Sequence, residues 1–211
     1  MSMMSGPSPM PQPAVRRTPR QERSNDTVNQ ILDATSRLLG RTPLDEITTS
    51  RIATEAGVSV GALYRFFPDK QVILDTIAVR HVENFQSILL RTVALSALSD
   101  GPAFLNRVID AYISFLDENP DFRALALGRH VSAVARQTQA VPNAGPAALV
   151  RWFMMWRLGI HDAEALDLRL RVAIETGERL IAFAYEQPDS DQRRLVLDEM
   201  KRLLAAYLFE P

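Results

Sequence analysis

The 211-residue sequence contains no cysteine. Disulfide bonds, thiolate zinc sites and thiol-based redox sensing are therefore excluded as sources of stability or function. No uninterrupted apolar run approaches the roughly 18 residues that a membrane-spanning helix requires, and the start lacks the apolar segment of a signal peptide. We therefore expect a cytoplasmic protein that has no membrane partner.

Other features are scarce as well. No stretch alternates apolar and polar residues in the way that a half-buried strand does. Histidine occurs at His81, His130 and His161 only, and these positions are too scattered to predict a metal site. No phosphate-binding glycine loop is present. The sequence therefore predicts an all-α protein with no metal and no other cofactor.

The composition that remains is typical of a folded globular protein. Hydrophobic residues make up 46% of the chain and charged residues 23%, with a formal net charge of −1. A chain of this length can bury one substantial core, or form a small domain joined to a larger one. The net charge neither indicates nor excludes DNA binding, because phosphate contacts are confined to one surface.

The most informative stretch runs from Thr48 to Lys70 and reads TTSRIATEAGVSVGALYRFFPDK. Gly57 stands where a first short helix would end, since glycine adopts the left-handed conformation beyond a helix C-terminus at little cost. Thr48 and Ser59 are potential N-caps of two successive helices. Pro68 ends the second helix, because the residue before a proline is disfavoured in the helical region. The pattern predicts a helix-turn-helix, whose second helix fits a DNA major groove.

The second of these helices has two different faces. Leu63 and Phe67 lie four residues apart and are expected to face the core. The residues expected to face outward are Val60, Gly61, Ala62, Tyr64 and Arg65. The alternative interpretation of the same pattern is an ordinary pair of core helices joined by a glycine turn.

The segment from Gly57 to Gly61 also matches the G-x-S-x-G pattern of hydrolase nucleophiles. That motif requires a strand before its serine, whereas a helix is predicted before Ser59. We therefore interpret Ser59 as a helix cap and do not expect an enzyme.

The stretch IATEAGVSVGALYRFFPDK resembles the N-terminal DNA-binding domain of the TetR family of transcriptional regulators. The residues that fall in register are Gly57, Ser59, Leu63, Tyr64, Phe67 and Lys70. The resemblance extends from about Val28 to Leu74 and implies a helix-turn-helix DNA-binding domain at residues 23–70. It further implies that double-stranded operator DNA is contacted by Ser59, Val60, Gly61, Ala62, Tyr64 and Arg65, with Thr48 and Lys70 on phosphates. Arg65 could read a guanine directly or contact a further phosphate.

The segment before this domain has a different composition. Residues 1–22 contain five prolines and few side chains to bury, so we predict a disordered arm. Its basic end contains Arg16, Arg17, Arg20 and, just beyond it, Arg23. These arginines could follow the DNA backbone or enter the minor groove, or the arm could be a solvated tail that does not touch DNA.

Residues 71–211 are predicted to form a larger helical domain, and the resemblance implies that this domain serves effector binding and dimerisation. A long fourth helix, capped by Asp69, should reach about Val93 and connect the two domains. The last two helices, at about 162–186 and 189–209, should form an antiparallel pair. The resemblance implies that this pair forms a homodimer interface through Ile174, Gly177, Ile181, Tyr185, Leu203 and Tyr207. Burial within one chain is the alternative.

The middle of the chain is rich in aromatic residues and methionine. The resemblance implies an effector pocket there, and the candidates to line it are Phe85, Tyr112, Phe115, His130, Trp152 and Trp156. Such a lining suits a small apolar or aromatic effector. Ordinary core packing would account for the same composition.

The function implied by the resemblance is a TetR-type transcriptional regulator. It would act as a repressor that binds a palindromic operator as a dimer and is released by a small, largely apolar effector. Two alternatives remain open. One is an activator or a regulator controlled by a protein partner, and the other is a helical small-molecule-binding protein whose N-terminal domain does not bind DNA.

Overall fold

The computed structural model describes residues 19–96, 99–128, 146–158 and 163–209, and within these ranges it contains helices and no strand. In chain order, the helices are α1 (Pro19–Leu39), α2 (Thr49–Ala56), α3 (Val60–Phe66), α4 (Lys70–Leu95), α5 (Gly101–Glu118), α6 (Pro120–Leu127), α7 (Pro146–Leu158), α8 (Ala163–Tyr185) and α9 (Ser190–Phe209). A short 3-10 turn, Leu44–Glu46, precedes α2. The all-α prediction is confirmed.

One of the predicted boundaries differs from the structure. Helix α1 begins at Pro19, so residues 19–22 form its first turn and do not belong to an irregular arm. Proline is well suited to the first position of a helix, where its missing N–H would have no intrahelical acceptor. Residues 1–18 lie outside the described residues. Helix α6 ends at Leu127, and residues 129–145 also lie outside the described residues.

The N-terminal helices enclose a small core of their own. Leu63 and Phe67 of the α3 region pack with Ile47 and Ile52, and Leu63 is fully buried. Burying an aliphatic side chain of this size stabilises a fold by about 1.5–3 kcal/mol. Helices α1, α2 and α3, together with the first turns of α4, thus form one packed unit, which we call the head.

Helix α4 belongs to two cores at once. Asp69 caps it by accepting a hydrogen bond from the Val72 N–H at 2.9 Å, as predicted. Near its start, Leu74 is buried in the core of the head, whereas Phe85 and Leu89 are buried in a second core. That second core also includes α5, α7, α8 and α9, which we call the body. One continuous helix therefore connects the head to the body.

The core of the body is built largely from aromatic and aliphatic side chains. The rings of Phe104 on α5 and Phe153 on α7 stack with centroids 3.8 Å apart. Helices α8 and α9 form a closely packed pair, and the start of α5 meets the end of α9. At that meeting point, a Cβ added to Gly101 would lie 2.6 Å from the Phe209 ring, so only glycine permits this approach. No helix within the described ranges is long and apolar enough to span a bilayer.

Helix α6 connects the body to the head on a second side. Leu125 of α6 is fully buried in the core of the head, and Asp121 is 2.8 Å from His81 Nε2 on α4. Burial alone would raise the pKa of Asp121. However, hydrogen bonds from His81 and from Ser36 on α1 hold that pKa below its usual range. The Asp121 carboxylate therefore joins three helices at the junction of head and body.

Candidate nucleic-acid interface

The turn between α2 and α3 has the geometry that its sequence predicts. Gly57 follows α2 with φ of 69° and ψ of 27°, which is the left-handed conformation. Thr48 Oγ1 accepts a hydrogen bond from the Arg51 N–H at 3.2 Å. Ser59 Oγ accepts one from the Ala62 N–H at 3.1 Å. Both predicted caps and the predicted glycine turn are therefore confirmed as local structure.

The two faces of α3 are also as predicted. Leu63 is fully buried, whereas Val60 is 39% exposed and Tyr64 50% exposed. Gly61 and Arg65 are exposed, and Ala62 is half-buried. The described elements of the chain leave this face of α3 uncovered, as a helix that enters a groove requires. The structure brings the predicted outer residues together on one accessible surface.

Tyr64 has a partner that the sequence did not indicate. Its hydroxyl lies 3.1 Å from Thr49 Oγ1, at the start of α2, and either group can donate the hydrogen bond. The bond holds the Tyr64 ring across the angle between α2 and α3 while leaving half of it exposed. Because Thr49 and Tyr64 are fifteen positions apart, helical periodicity could not have paired them.

Arg65 is exposed beside Tyr64, and its guanidinium carbon lies 4.8 Å from the centroid of the Phe66 ring. At an exposed site such a cation–π contact is worth about 0.5–1 kcal/mol. This contact holds the side chain on the outer face of α3 without using its hydrogen-bond donors. Both terminal nitrogens of the Arg65 guanidinium can therefore donate hydrogen bonds to a base edge or a phosphate.

Lys70 contacts the backbone of the head. Its Nζ donates to the Ile47 carbonyl at 2.9 Å and to the Leu44 carbonyl at 3.3 Å, and the side chain is half-buried. It thereby fixes the segment before α2 against the start of α4. An ammonium group has three donors, so one remains for the phosphate contact that the resemblance implies.

A surface cluster holds α2 against α1. Glu55 accepts hydrogen bonds from Arg37 Nε at 3.1 Å and from Arg41 Nη2 at 2.6 Å. The hydrogen bond from Arg37 is the main cause of a lowered pKa at Glu55, and the charges of both arginines act in the same direction. Sequence analysis did not identify this cluster, which positions the helix that precedes α3.

Half of the predicted pocket residues lie together. Phe85 is 5.2 Å from Tyr112 and 5.4 Å from Phe115, measured between ring centroids. Burial, and to a lesser extent the charge of Glu178, raises the pKa of Tyr112 above its usual value. Trp152 and Trp156 stack on each other with centroids 5.2 Å apart. They are 53% and 64% exposed, so they are not buried with the other three rings. His130 lies outside the described residues.

The residues predicted for a dimer interface fall into two groups. Gly177 and Ile181 are buried within this chain, and a Cβ at Gly177 would lie 3.5 Å from the Leu204 side chain on α9. The close approach at Gly177 is therefore made between α8 and α9 of one chain. Ile174, Leu203 and Tyr207 are exposed. Tyr185 is partly buried and donates a hydrogen bond to Asp117 on α5 at 2.8 Å.

Two family models account for most of the chain. Residues 31–77 match the model of the bacterial regulatory proteins of the tetR family, and residues 99–211 match that of the tetracyclin repressor-like C-terminal domain. The chain belongs to the TetR family. A TetR-family protein with this exposed α3 is a helix-turn-helix, DNA-binding transcription regulator, and its body corresponds to the family's helical ligand-binding domain.

Individual relatives agree with this assignment. A TetR-family transcriptional regulator from Streptomyces coelicolor has the same fold with a TM-score of 0.64 and 27% identity, over 86% of this chain and 97% of that one. The fatty acid degradation regulator FadR from Bacillus halodurans also has a TM-score of 0.64, over 88% of this chain and 97% of that one. At 17% identity, it shows a shared fold only.

Among curated proteins, the nucleoid occlusion factor SlmA from Haemophilus influenzae (strain PittGG) is 31% identical over 100 residues. The match covers 46% of this chain and 44% of SlmA, so the chain matches less than half the length of that relative. Within the described ranges, no group of three or more histidine, aspartate and glutamate side chains is arranged to hold a metal ion.

Proposed function

We propose that this TetR-family regulator acts in the cytoplasm as a homodimeric repressor that binds a palindromic operator and is released by a small, largely apolar effector. In this proposal the head, up to Lys70, contacts DNA, and residues 71–211 provide dimerisation and effector binding. The observation that carries the proposal is the exposed outer face of α3, which presents Tyr64 and Arg65 beyond the turn at Gly57.

The outer face of α3 suits a major groove in both shape and chemistry. Val60, Gly61 and Ala62 at its start have small side chains, so the backbone can approach the bases closely. Val60 and Ala62 could contact thymine methyl groups, and Arg65 could form two hydrogen bonds to one guanine. Thr48 and Lys70 lie at the starts of α2 and α4, where they could contact phosphates on either side of the groove.

The proposed dimer is supported by apolar side chains left uncovered on α8 and α9. They are Leu168, Val172, Ile174, Phe183, Leu195, Leu203 and Tyr207. Large exposed apolar surfaces on a single chain mark association sites. A second copy related by a twofold axis would cover these side chains and set two α3 helices about 34 Å apart, one turn of DNA.

The proposed effector site is the aromatic cluster of Phe85, Tyr112 and Phe115. These rings join α4 to α5, and α4 runs without a break from Phe85 to Leu74, which is buried in the core of the head. An effector inserted among them would move α4 and thereby the head. Changing a population from mostly competent to mostly incompetent for DNA binding requires about 5.5 kcal/mol of differential effector affinity.

A test of DNA reading uses the duplex upstream of the protein's own gene in a salt-dependent gel shift. Arg65→Ala should lose about 1–3 kcal/mol of discrimination at a single base pair while keeping binding to other sequences. Arg91→Ala provides a matched control, because Arg91 is exposed on α4 away from α3. An equal loss of affinity for every sequence would refute the base-reading role of Arg65.

A second candidate function is that of a nucleoid occlusion factor, which the 31% identity with SlmA favours. A dedicated repressor should occupy a few promoters, whereas a nucleoid occlusion factor should occupy many sites dispersed along the chromosome. Chromatin immunoprecipitation with the native protein distinguishes the two distributions. Absence of any enriched chromosomal site for the native protein would refute both functions.

A further inference from the structure

A cleft of about 430 Å³ lies at the junction of head and body, apart from the aromatic cluster of Phe85, Tyr112 and Phe115. Its apolar wall includes Leu39, at the end of α1, and Ala124 and Leu127 of α6. Its polar wall includes Arg123, Tyr185 and Arg193, from α6, α8 and α9. The volume is within the range of about 300–1,000 Å³ that is typical of small-molecule sites.

The polar wall is organised around the Tyr185 ring. The guanidinium carbon of Arg123 lies 5.3 Å from the ring centroid, and that of Arg193 lies 4.9 Å from it. Both distances are within cation–π range. The aromatic ring thus holds two arginines together at one side of the cleft, where their charges would otherwise repel.

The charge of this wall is not balanced. Among the described residues, the carboxylate that pairs with both arginines is that of Asp117, with its Oδ1 3.4 Å from Arg123 Nη1 and 3.7 Å from Arg193 Nη1. These separations exceed the roughly 2.7–2.9 Å of strong charge-assisted hydrogen bonds. The Tyr185 hydroxyl occupies the same Asp117 oxygen at 2.8 Å. The two guanidinium groups therefore share this carboxylate among the described residues, and both retain donors for another oxyanion.

The Tyr185 hydroxyl remains uncharged beside the two arginines. Burial, followed by the hydrogen bond to Asp117, raises the pKa of Tyr185 to about 12. The hydroxyl therefore remains a donor to Asp117 at physiological pH. The lining of the cleft thus combines cationic and apolar groups.

We propose that this cleft binds a small organic anion, with Arg123 and Arg193 holding its carboxylate or phosphate group and the wall of Leu39, Ala124 and Leu127 covering its apolar part. Planar guanidinium forks match both kinds of oxyanion, and two of them in one wall favour an anion over a neutral molecule. The adjacent apolar wall favours an anion attached to a hydrocarbon or an aromatic ring over a free inorganic ion.

The position of the cleft gives such an anion a role in regulation, and this part rests on the proposed function. Leu39 belongs to the head, whereas Tyr185 and Arg193 belong to the body. A ligand that contacts both head and body binds most tightly to one arrangement of the head relative to the body. It therefore shifts the population of the protein toward that arrangement. We expect operator affinity to change by at least about fivefold when the site is filled.

Binding is tested on the full-length protein by isothermal titration calorimetry. Benzoate and phenyl phosphate are the probes, and benzamide is their neutral counterpart. We expect at least one anion to bind with a Kd of about 1 mM or tighter. We expect benzamide to bind at least about tenfold more weakly. Absence of binding by both anions, or equal binding of benzamide, would overturn the proposal.

The residues are tested with Arg123→Gln, Arg193→Gln and the double variant. Arg194→Gln is the matched control, because Arg194 is next to Arg193 on α9 but is exposed and paired with Asp191. Each cleft variant should weaken binding of the anion about tenfold, whereas the control should bind as the native protein does. Helical circular dichroism checks folding, and Arg193→Lys keeps the charge if Arg193→Gln unfolds. Undiminished binding by a folded double variant would refute the assignment.

The regulatory part is tested separately by gel shift with and without saturating benzoate, at matched ionic strength. A change in operator affinity that Arg193→Gln abolishes supports the coupling. Unchanged operator affinity despite calorimetric binding would refute the coupling and leave the binding site standing. Failure to bind any DNA would instead refute the proposed function, and the calorimetric result would not depend on it.

Discussion

Two glycines in the helix-turn-helix should respond to the same substitution in opposite directions. Gly57 has φ of 69°, whereas Gly61 lies in α3 without a positive φ. A Cβ added at either position meets no atom within 4 Å, so neither Gly57→Ala nor Gly61→Ala creates a steric clash. Any difference between the two variants therefore reports the backbone conformation alone.

Two contributions determine the change in the free energy of unfolding of each variant. Replacing glycine with alanine stabilises by about 0.4–1 kcal/mol, because the unfolded chain loses conformational freedom. The left-handed conformation costs a residue with a Cβ about 1–2 kcal/mol. The first contribution applies at both positions and cancels in the comparison. We therefore expect Gly61→Ala to gain about 0.5 kcal/mol and Gly57→Ala to be about 1–2 kcal/mol less stable than Gly61→Ala.

The free energy of unfolding is measured by urea titration of the full-length protein, monitored by circular dichroism at one fixed protein concentration. The dependence of this free energy on urea concentration must be the same in all variants before their stabilities are compared. Gly57→Asn serves as an intermediate variant, since asparagine tolerates the left-handed region better than alanine does. Equal stability of Gly57→Ala and Gly61→Ala would show that the turn does not require the left-handed conformation. The orientation of α3 described above would then be wrong.

Two further predictions concern the body and its junction with the head. Leu203→Asp should convert the dimer to a monomer in analytical ultracentrifugation, because it places a charge among the exposed apolar residues of α8 and α9. The control Leu90→Asp, on α4, should remain dimeric. Dissociation of both variants, or of neither, would contradict the proposed interface. Asp121 has a lowered pKa in the folded state, so its contribution to stability is fully present above the unfolded pKa of about 3.9 and is lost as the pH falls through the folded value. The free energy of unfolding of Asp121→Asn should therefore fall less between pH 6 and pH 3 than that of the native protein or of the exposed control Asp191→Asn, and parallel curves for all three would refute this role.

The features that sequence predicted correctly are those fixed by neighbouring residues. Each cap at Thr48, Ser59 and Asp69 depends on an N–H three positions later, so the local sequence is sufficient to identify it. The turn at Gly57 and the two faces of α3 likewise follow from spacing within a single helix. The bounds predicted for α4, α8 and α9 also lie close to those of the structure.

Features that depend on distant pairing could not be predicted in this way. Helical spacing places Trp152 and Trp156 on one face of α7 but does not say whether another element covers that face, and in this structure none of the described elements buries them. The contact of Tyr185 with Asp117 joins residues 68 positions apart, and the packing of Gly177 against Leu204 depends on how α8 and α9 are aligned. Such contacts arise from three-dimensional packing.

Helix α4 acts as a lever. Its 26 residues correspond to about 39 Å of helix. Phe85, among the aromatic rings of the body, lies about 22 Å from Lys70, which is beside the DNA-contacting helix. A tilt of about 5° about Phe85 would move the Lys70 end by about 2 Å. In a twofold molecule both arms would swing, so a rotation small enough to preserve packing around Phe85 could change the distance between the two reading helices by about 4 Å, close to one step of the duplex.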